Sequence, residues 1–105
     1  MSFFSGIFSN ELMVFAGNLV EKIAKQFPPV NEHMLSTKGG KRRLESILEH
    51  VFSDIDEFQK KNQLGVFGKA RLGNKFRWGL VEKGYSTQFA EALTEGVIKR
   101  LAATK

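Results

Sequence analysis

The sequence predicts an all-α protein, built as a small bundle or orthogonal array of about four helices. Apolar residues recur at spacings of three and four along most of the chain, no stretch alternates in the manner of a strand, and glycine or proline separates the periodic stretches. The chain has 105 residues, of which 42% are hydrophobic and 26% charged. These values are typical of one globular domain. We therefore expect residues 1–105 to form a single helical domain.

The first helix is predicted from Ser9 or Asn10 to Phe27. Either polar side chain can accept a hydrogen bond from the first turn, and the two prolines after Phe27 end the helix. Its apolar face comprises Leu12, Phe15, Ala16, Leu19, Val20, Ile23 and Phe27. Residues 1–8 precede this helix and carry no charge. We expect them to form either a flexible segment or an interface, through Phe3, Phe4, Ile7 and Phe8.

The second helix is predicted from Lys41 to Asn62. Residues 30–40 form the connection before it, with one helical turn near Met34 and the turn-forming pair Gly39-Gly40. The apolar stripe of this helix comprises Leu44, Ile47, Leu48, Val51, Phe52, Ile55 and Phe58. On the opposite side we expect solvated acidic residues: Glu45, Glu49, Asp54, Asp56 and Glu57.

Two further helices are predicted after a loop that ends near Gly68. The third spans Lys69 to Lys83, and Gly84 follows it, where glycine adopts a left-handed conformation at no cost. A stripe of Phe67, Leu72, Phe76 and Leu80 has spacings of four and five, which a helix tolerates only where it is irregular. The fourth begins at a cap supplied by Ser86 or Thr87, with Tyr85 stapled onto it. It ends near Ala103 and buries Phe89, Ala90, Leu93, Val97, Ile98 and Leu101.

The positive charge is concentrated in the second half of the chain. The net charge is +5, and residues 1–62 contribute none of it because they hold eight basic and eight acidic side chains. Between Gln59 and Val81 there is no acid. We call residues 60–83 the basic segment, and its cations up to Val81 are Lys60, Lys61, Lys69, Arg71, Lys75 and Arg77.

The first hypothesis is a non-catalytic module that binds nucleic acid or another polyanion through the basic segment. Lysine and arginine neutralise phosphates and release counterions. Arg71 and Lys75 share a helix face, and Lys69 and Arg77 flank it. Aromatic rings can stack on unpaired bases, but in a chain of this length such rings also fill the core. The sequence leaves both roles open for Phe67, Phe76 and Trp78.

A second basic cluster surrounds the glycine pair at the start of the second helix: Lys38, Lys41, Arg42 and Arg43. A helix N-terminus offers free N–H groups and a positive dipole end to an anion. The cluster lacks the glycine spacing of a phosphate-binding loop, so we do not expect a nucleotide site. Two interpretations stay open, a supplementary phosphate contact by Lys41, Arg42 and Arg43, and an ordinary solvated helix start.

The sequence offers little for catalysis or metal binding. It contains no cysteine and two histidines, His33 and His50. His50 and Asp54 are four residues apart, but two ligands do not make a stable metal site. We therefore expect no enzyme activity, no metal and no cofactor.

Two other functions remain open. An interaction or oligomerisation module would use exposed apolar helix faces and an acidic partner surface. A membrane-surface segment would insert Phe4, Ile7, Phe8, Leu12 and Phe15, although the first basic residue is Lys22. We expect no stable membrane span, because polar residues interrupt the apolar start. The absence of cysteine is compatible with a cytoplasmic location.

Overall fold

The computed structural model describes the backbone of residues 2–103 and the side chains of residues 10–103. The predicted all-α class is confirmed, since residues 2–103 contain helices and no strand. Four α-helices are joined by short connections, and a 3₁₀ helix adds a fifth helical element to the four predicted. The elements in chain order are α1 (Ser2–Gln26), the 3₁₀ helix (Pro29–Ser36), α2 (Lys38–Lys61), α3 (Val66–Lys83) and α4 (Thr87–Ala103).

Helix α1 begins earlier than predicted, at Ser2 rather than at Ser9 or Asn10. No proline interrupts residues 2–10, so the backbone helix continues back to Ser2. The helix ends before the two prolines, as predicted. The side chains of residues 2–9 and all of Met1 lie outside the described part of the chain. The roles predicted for the segment 1–8 therefore stay predictions.

Helix α2 begins one turn before the predicted Lys41. The side chain of Thr37 accepts a hydrogen bond from the Gly40 N–H at 3.0 Å and caps the helix. Gly40 is buried against the Met34 carbonyl, at a distance that leaves no room for a Cβ atom. The glycine pair therefore lies inside the first turn of α2, because the threonine cap offsets the low helix propensity of glycine.

Helix α3 begins at Val66, three residues before the predicted start. Its buried residues include Leu72, Phe76 and Leu80, as predicted. Phe67, whose role the sequence left open, is not part of this stripe and is 85% exposed. It lies five residues before Leu72, a spacing that places it on the opposite side of a regular helix. Buried Leu64 reaches the core from the preceding loop instead.

The connection from α3 to α4 matches the prediction. Gly84 has φ 110° and its N–H bonds to the last carbonyls of α3. Ser86 caps α4 by accepting the Phe89 N–H at 3.1 Å. The predicted staple is confirmed, because the Tyr85 ring stacks on Phe89 at a centroid distance of 4.5 Å. The assignment of Ile98 to the buried face of α4 was wrong, since it is 48% exposed.

Helices α2 and α3 pack mainly on other helices rather than on each other. Helix α3 packs against α1 and α4, while α2 packs against α1, α4 and the 3₁₀ helix. Helices α1 and α4 therefore lie between α2 and α3. The crossing of α1 and α3 is close, because a Cβ atom on Gly79 would approach Val20 Cγ2 to 2.9 Å.

Ion pairs connect the helices outside the core. Lys22 of α1 pairs with Asp54 of α2. Arg100 of α4 donates to both carboxylate oxygens of Asp56, at 3.1 and 2.5 Å. The prediction that these acids are solvated is therefore wrong for Asp54 and Asp56, because they hold α2 to α1 and α4.

Candidate functional site

The side of α3 that points away from the core combines aromatic and basic side chains. We call it the outer face of α3, and its residues follow one another at helical spacings opposite the buried Leu72 and Phe76. All of them are exposed, in contrast to the fully buried stripe on the other side. The outer face consists of Phe67, Arg71, Asn74, Lys75 and Trp78.

The structure separates the three aromatic residues whose roles the sequence left open. Phe76 is fully buried and belongs to the core. Phe67 and Trp78 are 85% and 49% exposed, respectively, and therefore belong to the surface. The two exposed rings are available for contact with a ligand.

The four cations predicted on α3 have different surroundings. Arg71 and Lys75 are exposed on the outer face, whereas Lys69 and Arg77 are partly buried. At about 100° per residue, Lys69 is turned by about 200° from Phe67, so the prediction that Lys69 flanks this face is wrong. The guanidinium of Arg77 lies 3.1 Å from the Glu91 carboxylate of α4. Among residues 10–103, none of the other three cations has an ion-pair partner. Arg71 and Lys75 are therefore the cations best placed to meet an anion.

The acids of α2 do not neutralise the outer face. Asp54 and Asp56 are engaged by cations of α1 and α4. The first acid along α3 is Glu82, one turn beyond Trp78. Glu82 and Lys75 line a cleft of about 330 Å³ between α1 and α3, together with Glu21, which pairs with Lys83. The exposed carboxylates of Glu21 and Glu82 therefore share this cleft with Lys75.

The N-terminal end of α3 adds backbone N–H donors, which were not predicted from the sequence. Gly65 stands at the N-cap position and supplies no capping side chain. Lys69 donates its N–H to the Gly65 carbonyl at 3.0 Å and closes the first turn. The exposed Lys60 and Lys61 lie at the end of α2, just before the loop that leads to α3. This end of the outer face is therefore electropositive as well.

The second basic cluster is not part of the same surface. Lys38, Lys41 and Arg42 are exposed in the first turns of α2. Arg43 donates its Nε–H to the Gln26 carbonyl at 3.1 Å, which ties α2 to the end of α1. Since α1 and α4 separate α2 from α3, the structure does not bring the two sets of predicted site residues together.

The histidines and carboxylates form no metal centre in the part of the chain with described side chains. No group of three or more potential ligands comes together there. Asp54, the predicted neighbour of His50, is paired with Lys22. The Nδ1 atom of exposed His33 lies 2.9 Å from the Val30 carbonyl oxygen. Among the described residues, every helix is too short or too polar to span a lipid bilayer.

Comparisons of the chain with protein-family models, with curated proteins and with solved structures find no match. The functional interpretation therefore depends on the geometry and charge of the described residues.

Proposed function

We propose that this chain is a non-catalytic module that binds nucleic acid or another polyanion through the outer face of α3. The observation that carries the proposal is the pair Arg71 and Lys75, which are exposed and have no ion-pair partner among the described residues. They lie between two exposed aromatic rings on a helix that has no acid before Glu82. The repeated negative charges of a polyanion match the two positive charges of Arg71 and Lys75, which are four residues apart along the helix.

Binding of this kind is directed mainly at phosphates. Arg71 can form two parallel hydrogen bonds to one phosphate group, and Lys75 supplies a compact positive charge four residues further along the same side. Each contact releases condensed counterions, so the affinity falls steeply as salt rises. The cations outside the outer face have secondary roles. Lys69 and Arg77 add to the positive potential around α3, and Lys41, Arg42 and Arg43 form a separate anion-attracting patch.

The proposal is tested by fluorescence anisotropy with a labelled oligonucleotide at low and at moderate salt. The double reversal Arg71→Glu with Lys75→Glu should abolish most of the binding while leaving the fold intact, because both side chains are exposed. The matched control is Lys25→Glu with Lys99→Glu, which changes the net charge equally on exposed sites of α1 and α4. Equal binding by the wild type and the α3 variant, or equal losses in both variants, would contradict the assignment to this face.

A second function, a protein-interaction or oligomerisation module, is favoured by the apolar surface at the start of α3. Val66 and Phe67 are adjacent and 82% and 85% exposed. Aromatic residues and arginine are common at the centres of protein interfaces, and an acidic partner would suit Arg71. Light scattering at two concentrations tests for a homo-oligomer, and a mass that rises with concentration would favour this alternative. We place either module in the cytoplasm, in keeping with a chain that lacks cysteine.

A further inference from the structure

We propose that the outer face of α3 selects single-stranded nucleic acid, with Phe67 and Trp78 stacking on unpaired bases. This inference rests on the proposed function and names the class of polyanion. The cations account for attraction to any polyanion, but they do not account for two large exposed rings beside them. Stacking on bases explains why the rings and the cations share one face.

The order of residues along the face fits an extended strand. Phe67 and Trp78 are eleven residues apart, which corresponds to about 16 Å along the helix axis at 1.5 Å per residue. Arg71 and Lys75 lie between them, so the face presents ring, cation, cation and ring in sequence. A strand lying along α3 can thus place phosphates at the two cations and base faces at the two rings.

A duplex fits this face less well than a single strand. In a double helix the faces of the bases are stacked on one another and only their edges and the phosphates are accessible. Phenylalanine has no hydrogen-bonding group with which to contact those edges. Because stacking needs an exposed base face, the rings contribute to binding only when the bases are unpaired. Exposed Asn74 lies between the rings and supplies a hydrogen-bonding group for a base edge.

An acidic protein partner is the main competing occupant. Lysine is depleted at protein interfaces, whereas Lys75 lies between the two rings of this face. Surfaces that bind single strands, in contrast, usually combine cations with aromatic rings on which the bases stack. The nucleic acid is therefore the favoured occupant, and an acidic polypeptide is included in the test.

Trp78 is the only tryptophan of the chain, so its fluorescence reports directly on the outer face. The full chain is titrated at low salt with an oligothymidylate of about twelve nucleotides, with a DNA duplex of the same length, and with polyglutamate. We expect the single strand to quench the Trp78 emission and to bind at least tenfold more tightly than the duplex. Polyglutamate should leave the emission unchanged.

The variant Phe67→Ala separates stacking from charge. Loss of one stacking ring should weaken binding of the single strand by about tenfold or more, while binding of the duplex changes little. The matched control is Val30→Ala, which removes an exposed apolar side chain from the 3₁₀ helix. Circular dichroism should be the same for both variants, because neither side chain belongs to the core.

The outcomes distinguish the inference from the proposed function. Equal affinity for the single strand and the duplex with unchanged Trp78 emission would overturn selection by stacking and leave phosphate-directed binding in place. Tighter binding to polyglutamate than to the single strand would overturn the inference in favour of a protein partner. Absence of binding to both nucleic acids at low salt would overturn both.

Discussion

The guanidinium carbon of Arg77 lies 4.9 Å from the centroid of the Trp78 ring. The same guanidinium is held by Glu91 at 3.1 Å, so α4 positions the cation that packs on the indole. Trp78 keeps about half of its surface exposed in this arrangement. Arg77 therefore supports the aromatic end of the outer face and is less available to an anion than Arg71.

The first prediction compares Arg77→Ala with Arg71→Ala. Loss of Arg71 should flatten the slope of log affinity against log salt by about 0.7 for a single strand, which corresponds to one phosphate contact. Arg77→Ala should change the slope less and should lower the free energy of unfolding by up to about 1 kcal/mol, since it removes an exposed ion pair and a cation–π contact. Binding titrations at several salt concentrations and urea unfolding measure the two effects. A larger slope change for Arg77→Ala would contradict the roles assigned here.

The second prediction concerns the two adjacent glycines of α2. A Cβ atom on Gly40 would overlap the backbone of Met34, whereas nothing lies within 4 Å of a Cβ atom on Gly39. Gly40→Ala should lower the free energy of unfolding by about 1–3 kcal/mol through overpacking. Gly39→Ala should raise it by up to about 1 kcal/mol, because alanine is the better helix former. Urea unfolding of both variants provides the comparison, and equal stabilities would show that the 3₁₀ helix does not pack on α2 as described.

The third prediction concerns the hydroxyl of Tyr85, which donates to the Phe27 carbonyl at 2.5 Å. Tyr85→Phe removes this buried hydrogen bond and should cost about 1 kcal/mol of stability at neutral pH. Thermal or urea unfolding measures the loss. A variant as stable as the wild type would show that the bond contributes nothing to the docking of the α3–α4 connection onto the end of α1.

The same residue predicts a change in stability at high pH. Burial, with a smaller effect of the Glu32 carboxylate, raises the pKa of Tyr85 to about 12. An unfolded tyrosine loses its proton near pH 10. Between these values the unfolded state binds fewer protons, so the free energy of unfolding falls as pH rises. The difference in stability between the wild type and Tyr85→Phe should therefore be constant below pH 10 and shrink above it. A difference that does not change with pH would contradict the raised pKa.

The fifth prediction concerns Thr94 on α4. Its Oγ1 atom is buried and has no hydrogen-bond partner among the described residues. Thr94→Val replaces the hydroxyl with a methyl group of similar shape, and it should raise the free energy of unfolding by about 1 kcal/mol. Thr87→Val, at an exposed position of the same helix, serves as the control and should give no gain. A loss of stability in Thr94→Val alone would show that the hydroxyl has a partner after all.

Much of the fold follows from local patterns. The apolar stripes of α1 and α2 repeat over several turns, and Gly84 marks the end of α3, so these elements are readable from the sequence. The predictions that differ from the structure also have local causes. The spacing of five between Phe67 and Leu72 does not fix which side of the helix Phe67 occupies, and the glycine pair after Thr37 favours a connection over a helix cap.

The candidate site was only partly predictable, because ion pairing depends on which helices meet. The common face of Arg71 and Lys75 follows from their spacing of four. The pairing of Arg77 with Glu91 and of Lys22 with Asp54 joins residues far apart in the chain, and no local pattern contains it. The separation of the second basic cluster from α3 likewise follows only from the packing of α1 and α4 between the two helices.

The most direct measurement is a map of backbone and indole amide chemical shifts in ¹⁵N-labelled protein as an oligothymidylate is added at low salt. We expect the largest changes at Phe67, Arg71, Lys75 and the indole N–H of Trp78, and only small changes around Arg42. Changes centred on the first turns of α2, or an unchanged spectrum, would contradict it.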